Sequence, residues 1–199
     1  MGNYSSGKMG FAIAERLADL GAKVILVTGP VAIKCFNSNI QRINVVSAVE
    51  MQEQCLNYFE HCNGAIMVAA VADFAPLVIE TKKIKRTSSN YFIELRPNPD
   101  IASYLGKIKR QNQVLVGFAL ETNDEEQNAL SKLHKKNLDF IVLNSLRESG
   151  SGFQYDTNRI KILDKHGIVE AFDLKQKSEV AVDVVNKMIE MEGEMTERF

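Results

Sequence analysis

The sequence predicts an α/β fold of the Rossmann-like, doubly wound kind, with a mostly parallel sheet and a β-hairpin added near the C-terminus. Three observations predict it. Continuous apolar runs recur at residues 24–27, 65–71, 114–119 and 140–143, and strands buried on both faces read as such runs. Segments with helical spacing lie between them, and this alternation belongs to a parallel sheet wrapped by helices. Near the end, two short strand-like segments at 158–163 and 168–172 flank Lys165-His166-Gly167, which reads as a hairpin turn.

The elements follow in order. Residues 11–20 carry Ile13, Leu17 and Leu20 at helical spacing, and Gly21 stops that helix. After the β-branched strand at 24–27 comes a weaker strand at 43–46 and a helix at 48–62. The apolar strand at 65–71 runs into an irregular stretch, 73–90, with Pro76 and a basic cluster. Residues 91–95 alternate as a half-exposed strand, and 101–110 form a short helix. The strand at 114–119, a helix at 124–136 and the strand at 140–143 continue the pattern. A closing helix at 174–191 carries Val180, Val184, Met188 and Met191 on one face. In such sheets ligands bind where strands end and helices begin. The places for a site are therefore the loops after Val71, Ala119 and Leu143, and the turn opening the first helix.

Composition bounds the function. The 199 residues suit a single domain with a sizeable core, and the net charge of −1 carries no basic excess for nucleic acid. No apolar run reaches the ~18 residues of a membrane span. Cys35, Cys55 and Cys62 lack metal-ligand spacing and read as reduced thiols of a cytoplasmic protein. His61, His134 and His166 are scattered in polar contexts, without the spacing of a metal site.

Six segments carry candidate chemistry. Ser5-Ser6-Gly7-Lys8-Met9-Gly10 opens a helix, where small residues and the helix terminus make either an anion site or an ordinary serine cap. Ala69-Ala70-Val71-Ala72-Asp73-Phe74 ends a buried strand; its small side chains let a flat ligand approach, and Asp73 can accept from a base or sugar or cap a turn. Lys82-Lys83-Ile84-Lys85-Arg86 is either a solvated face or a flap over phosphates. Asn98-Pro99-Asp100-Ile101 suits a helix start. In Val116-Gly117-Phe118-Ala119-Leu120-Glu121-Thr122, Phe118 is either core or a surface for stacking on a base. Lys132 and Lys136 are one helical turn apart, and are either two solvated lysines or a pair whose repulsion an anion between them would relieve.

Taken in this order, residues 3–10, 69–74, 83–85, 98–101, 117–122 and 132–139, with Gly152-Phe153, resemble the phosphopantothenate–cysteine ligase family, the ligase half of the bacterial bifunctional coenzyme A biosynthesis proteins. The resemblance runs from residue 3 to about residue 190. It implies a cytoplasmic homodimer that joins L-cysteine to 4'-phosphopantothenate. CTP is the co-substrate with Mg²⁺, an acyl-cytidylate is the intermediate, and CMP and pyrophosphate are the products. It further implies that Ala69 and Asp73 hold base and ribose in a pocket lined by Met67 and Val68. Lys83 contacts the triphosphate. Pro99, Asp100, Ile101, Ala102 and the ring of Phe118 border the nucleotide, and Lys132 and Lys136 bind phosphates. Asn3 holds the acyl intermediate, and Ser5, Gly7 and Gly10 take the phosphate of phosphopantothenate. A decarboxylase domain is a possible partner. The family's first strand and Gly-rich turn precede the Asn3 segment, and no counterpart lies within residues 1–199. Two other classes stand beside the ligase: a non-catalytic nucleotide-binding domain derived from it, and a nicotinamide-dependent oxidoreductase. The latter is opposed by the lack of Gly-x-Gly-x-x-Gly after a strand.

Overall fold

The computed structural model describes residues 5–86, 90–121, 124–145 and 155–196. Helix α1 (Lys8–Asp19) starts three residues earlier than the periodicity predicts, because Gly7 adopts φ 78° and turns the chain into the helix. Strand β1 (Val24–Thr28) pairs in parallel with β2 (Ile40–Asn44), Val24 opposite Ile40. Helix α2 (Ala48–Phe59) has a reciprocal cap: Ser47 accepts from the Glu50 amide at 3.2 Å, and Glu50 accepts from the Val46 amide at 2.7 Å.

Strand β3 (Gly64–Met67) is shorter than the apolar run suggests, because the chain leaves the sheet before the alanines. Strands β4 (Phe74–Pro76) and β5 (Leu95–Pro97) form an antiparallel ribbon. The chain between them exposes Val78, Ile79, Phe92 and Ile93; the strand expected at 91–95 begins only at Leu95. Next come α3 (Ile101–Ile108), β6 (Val114–Glu121), α4 (Glu125–Lys135), β7 (Phe140–Ser145), β8 (Thr157–Asn158), β9 (Ile160–Asp164), β10 (Val169–Ala171), β11 (Lys175–Gln176) and α5 (Lys177–Thr196).

The main sheet has the order β10-β9-β7-β6-β3. Its β3, β6 and β7 are parallel, and β9 and β10 add the expected antiparallel hairpin, turning at Gly167 with φ 84°. Side chains alternate along the strands and build two cores. On one face Val114 and Val116 meet Met9, Ile13, Val180 and Val184 of α1 and α5. On the other face Leu115 and Ala119 meet Leu105, Ala129 and Leu133 of α3 and α4. This is the doubly wound arrangement the sequence predicts.

The β1–β2 pair is a sheet of its own, and among the described residues β1 and β3 each pair on one side only. Residues 24–27 are consequently half-buried rather than fully enclosed. Helix α1 still buries Met9, Phe11, Ile13, Ala14 and Ala18.

Candidate functional site

Past Met67 the chain is an open loop to Asp73, and one side chain ties it down. Asn98 donates from Nδ2 to the Ala72 carbonyl at 2.8 Å, and its backbone amide donates to the Asp73 carbonyl at 2.8 Å. The loop is thereby fastened to the start of α3. There Asp100 caps the helix, accepting from the Ser103 amide at 3.1 Å and from Ser103 Oγ at 2.9 Å.

Helix α4 supplies the opposite wall. Lys136 donates from Nζ to Asp100 at 2.9 Å, and Lys132 donates to Glu121 at 2.5 Å. The crossing of α3 and α4 depends on Gly106: a Cβ there would collide with the Lys136 carbonyl oxygen. Asn137, at φ 52°, seals the crossing by donating to the Gly106 carbonyl at 2.8 Å. Burial opposes the charged form of Asp100. The hydrogen bonds from Lys136 and Ser103 and the lysine's charge outweigh it, so the carboxyl ionises below its ordinary range.

Between these walls lies a cleft of about 250 Å³. Its floor is apolar, from Met67, Gly117, Leu138 and Ile141, and one rim is cationic, from Lys132 and Lys136. Gly117 keeps the floor open; a Cβ there would stand 2.5 Å from Leu138 Cδ1. The arrangement can hold a flat polar group at the strand end and an anion near the lysines.

Met67, Ala69, Asp73, Pro99, Asp100, Ile101, Ala102, Phe118, Lys132 and Lys136 all line this cleft. One expectation differs. Val68 follows the last residue of β3 and packs with the Met9 and Ile13 core, away from the cleft that Met67 lines. Phe118 borders the cleft and also packs against that core. Lys83 lies outside the cleft on the exposed segment after β4.

Ser5, Gly7 and Gly10 lie at the start of α1. Gly7, not a serine, is the N-cap, with no side-chain cap bond. A Cβ on Gly10 would stand 3.9 Å from Val68 Cβ, so the helix start lies beside the strand that feeds the cleft. Asn3, Thr122 and Gly152-Phe153 lie outside the described residues.

Sequence reasoning assigns no role to Asn98, Glu121, Met51 or Leu138, which the fold brings to or beside the cleft. Asn98 alone carried a signal, a side-chain donor placed just before a proline that opens a helix.

The family described as the DNA/pantothenate metabolism flavoprotein C-terminal domain matches residues 1–191. Over 187 residues the chain is 54% identical to a prokaryotic protein called cysteine/cysteine sulfinic acid decarboxylase, covering 94% of this chain and 52% of that protein. It is 38% identical over 196 residues to the coenzyme A biosynthesis bifunctional protein CoaBC of Bacillus subtilis (strain 168), covering 98% of this chain and 48% of that protein. A crystal structure of the C-terminal domain of a CoaBC protein matches with TM-score 0.80 and 35% identity, over 96% of this chain and 85% of that one. The chain thus spans about half the length of the curated relatives it matches. On the match over residues 1–191, the chain belongs to the DNA/pantothenate metabolism flavoprotein C-terminal domain family.

Proposed function

We propose that this domain is a cytoplasmic ligase of coenzyme A biosynthesis that joins L-cysteine to 4'-phosphopantothenate and consumes CTP. A carboxylate oxygen of phosphopantothenate attacks the α-phosphorus of CTP. The bond to pyrophosphate breaks and an acyl-cytidylate forms. The cysteine amine then attacks the acyl carbon, CMP departs with the bonding electrons, and the amine loses a proton.

The observation that carries this reading is the cleft, which joins an apolar strand end to a lysine-bearing wall. Ala69 backbone groups and Asp73 hold base and ribose. Lys132, Lys136 and the residues opening α3, Pro99 to Ala102, hold phosphates. Lys83 closes from its exposed segment over the triphosphate. Ser5, Gly7 and Gly10 take the substrate phosphate, and Asn3 orients the acyl carbonyl. These cations matter because a carboxylate, a triphosphate and a substrate phosphate repel one another. Mg²⁺ travels with the triphosphate, since it commonly takes its ligands from phosphates, water and one or two carboxylates. The exposed Val78, Ile79, Phe92 and Ile93 beside the ribbon support a homodimer. The double length of the relatives supports a decarboxylase domain as partner.

Lys83 lying outside the cleft favours one second reading, a nucleotide-binding domain without catalysis. Pyrophosphate release with CTP, Mg²⁺ and phosphopantothenate separates the two, with the acyl-cytidylate trapped by mass spectrometry in the absence of cysteine. CTP binding without pyrophosphate release overturns the ligase reading. A kcat/KM for ATP equal to or above that for CTP overturns the assignment of nucleotide, since a pocket sized for a pyrimidine rejects a purine by overlap.

A further inference from the structure

We infer that Asp100 is a resident stand-in for phosphate: its carboxylate engages Lys136 and the start of α3, yields both to an arriving polyphosphate, and reclaims them as pyrophosphate leaves. The inference rests on the nucleotide-binding reading of the cleft.

Two independent contacts hold Asp100 where an anion would sit. Lys136 Nζ lies 2.9 Å from Oδ1, and the first turn of α3 donates through the Ser103 amide at 3.1 Å. Both are features an incoming phosphate would use, a cation and the amides of a helix start. Asp100 and the ligand therefore compete for the same partners.

The Asp100–Lys136 pair is suited to exchange rather than to permanence. Asp100 is 47% exposed and Lys136 26% at the side chain, so water screens the pair and receives the carboxylate when it lets go. In the cleft without a carboxylate, two lysines one turn apart would repel, and a bound pyrophosphate would face no competitor when it must depart. With Asp100 present the lysine passes from one anion to another and stays paired. Release of the leaving group is thereby made easier, at the expense of some affinity.

Asp100→Asn tests this. Asparagine caps a helix as well as aspartate does, so the fold stays intact while the competing charge is removed. Isothermal titration with inorganic pyrophosphate and with CTP supplies the readout. Asp100→Asn should bind both about threefold to fivefold more tightly, the size of a favourable exposed ion pair. Pyrophosphate should become a correspondingly stronger product inhibitor. In a Lys136→Gln background the same substitution should change neither affinity by more than about twofold, less than an exposed ion pair contributes. Unchanged affinity in Asp100→Asn overturns the inference and leaves the nucleotide reading standing. Equal tightening in both backgrounds also overturns it, since general charge repulsion would then suffice. If the unsubstituted domain binds neither probe, the nucleotide reading fails and the inference with it.

Discussion

Two lysine–carboxylate groupings in this domain use the same chemistry to opposite ends. At the amino end of β7, Asp139 is 1% exposed and accepts from Lys109 at 2.8 Å, from Lys165 at 2.7 Å and from the Leu115 amide at 2.8 Å. At the cleft, Asp100, half-exposed, holds Lys136 beside open solvent. The difference is burial. A carboxylate taken out of water needs every partner it has, and its partners need it. A half-exposed one can trade a lysine for water at little cost. The first kind of grouping locks β6, β7, the end of α3 and the β9–β10 turn together. The second kind leaves a lysine deliverable to a ligand.

The largest effect should come from the buried grouping. Asp139→Asn leaves two lysines facing an uncharged amide, and should lower the unfolding free energy by about 3–5 kcal/mol. Urea denaturation measures it. Pyrophosphate affinity at a temperature where the variant is folded should be unchanged. A loss under ~1 kcal/mol would put Asp139 in the same class as the exposed pairs.

Lys83→Gln should show the reverse profile. Lys83 is exposed on the segment after β4, so its loss should move stability by no more than ~0.5 kcal/mol. Acyl-cytidylate formation should fall by ~10²-fold, the scale of an electrostatic contact made in the transition state. Quench-flow measurement of pyrophosphate release decides it, and an unchanged rate removes Lys83 from the mechanism.

How much of this was legible in the sequence follows from the range of each interaction. The strands at Val114–Glu121 and Phe140–Ser145 announce themselves, because burial on both faces demands apolar residues at every position. The helix start at Gly7 and the loop from Ala69 to Asp73 were legible only in part: the residues suggested a serine cap at the first and a strand running to Val71 at the second, and the chain instead turns at a left-handed glycine and leaves the sheet after Met67. Parity was harder. Val68 stands within the right string, yet it turns to the core of Met9 and Ile13 while its neighbour Met67 joins the opposite core. The Asp100–Lys136 pair was not readable, since the two are 36 residues apart and meet where Gly106 of α3 lies against the backbone of Lys136 at the end of α4. Nothing in the residues near Gly106 signals which backbone will lie against it.

Gly106→Ala probes that crossing and links the two groupings. Alanine gains ~1 kcal/mol of helix propensity. Its methyl group must also displace the Lys136 carbonyl, and overpacking of that kind costs about 1–3 kcal/mol. A net loss of stability should therefore accompany a change in pyrophosphate affinity, because the backbone that moves carries Lys136. Asp139→Asn should alter stability alone. If Gly106→Ala also leaves affinity untouched, the crossing does not position Lys136.

The smallest effect is a titration, and it bears on the exposed grouping directly. Burial by itself raises the Asp100 carboxyl, while Lys136, by hydrogen bond and charge, and Ser103, by two hydrogen bonds, bring it below the ordinary aspartate value of 3.8. For a carboxyl lowered on folding, the sign is set: its contribution to stability is present above the unfolded value and is lost as pH falls through the folded one. The pair should therefore survive mild acid and open only below the usual aspartate range. Following the Asp100 carboxyl carbon by NMR as pH falls should show a midpoint under 3.8 in the empty domain. In Lys136→Gln the midpoint should move upward, because burial continues to oppose the charge while the lysine no longer favours it. With saturating pyrophosphate, the midpoint should also move upward, since the lysine is then held by phosphate and the phosphate's own charge disfavours a second anion beside it. An Asp100 midpoint indifferent to both Lys136 and pyrophosphate would mean that the carboxylate and the ligand never share a partner. The cleft pair would then be as fixed as the one at Asp139.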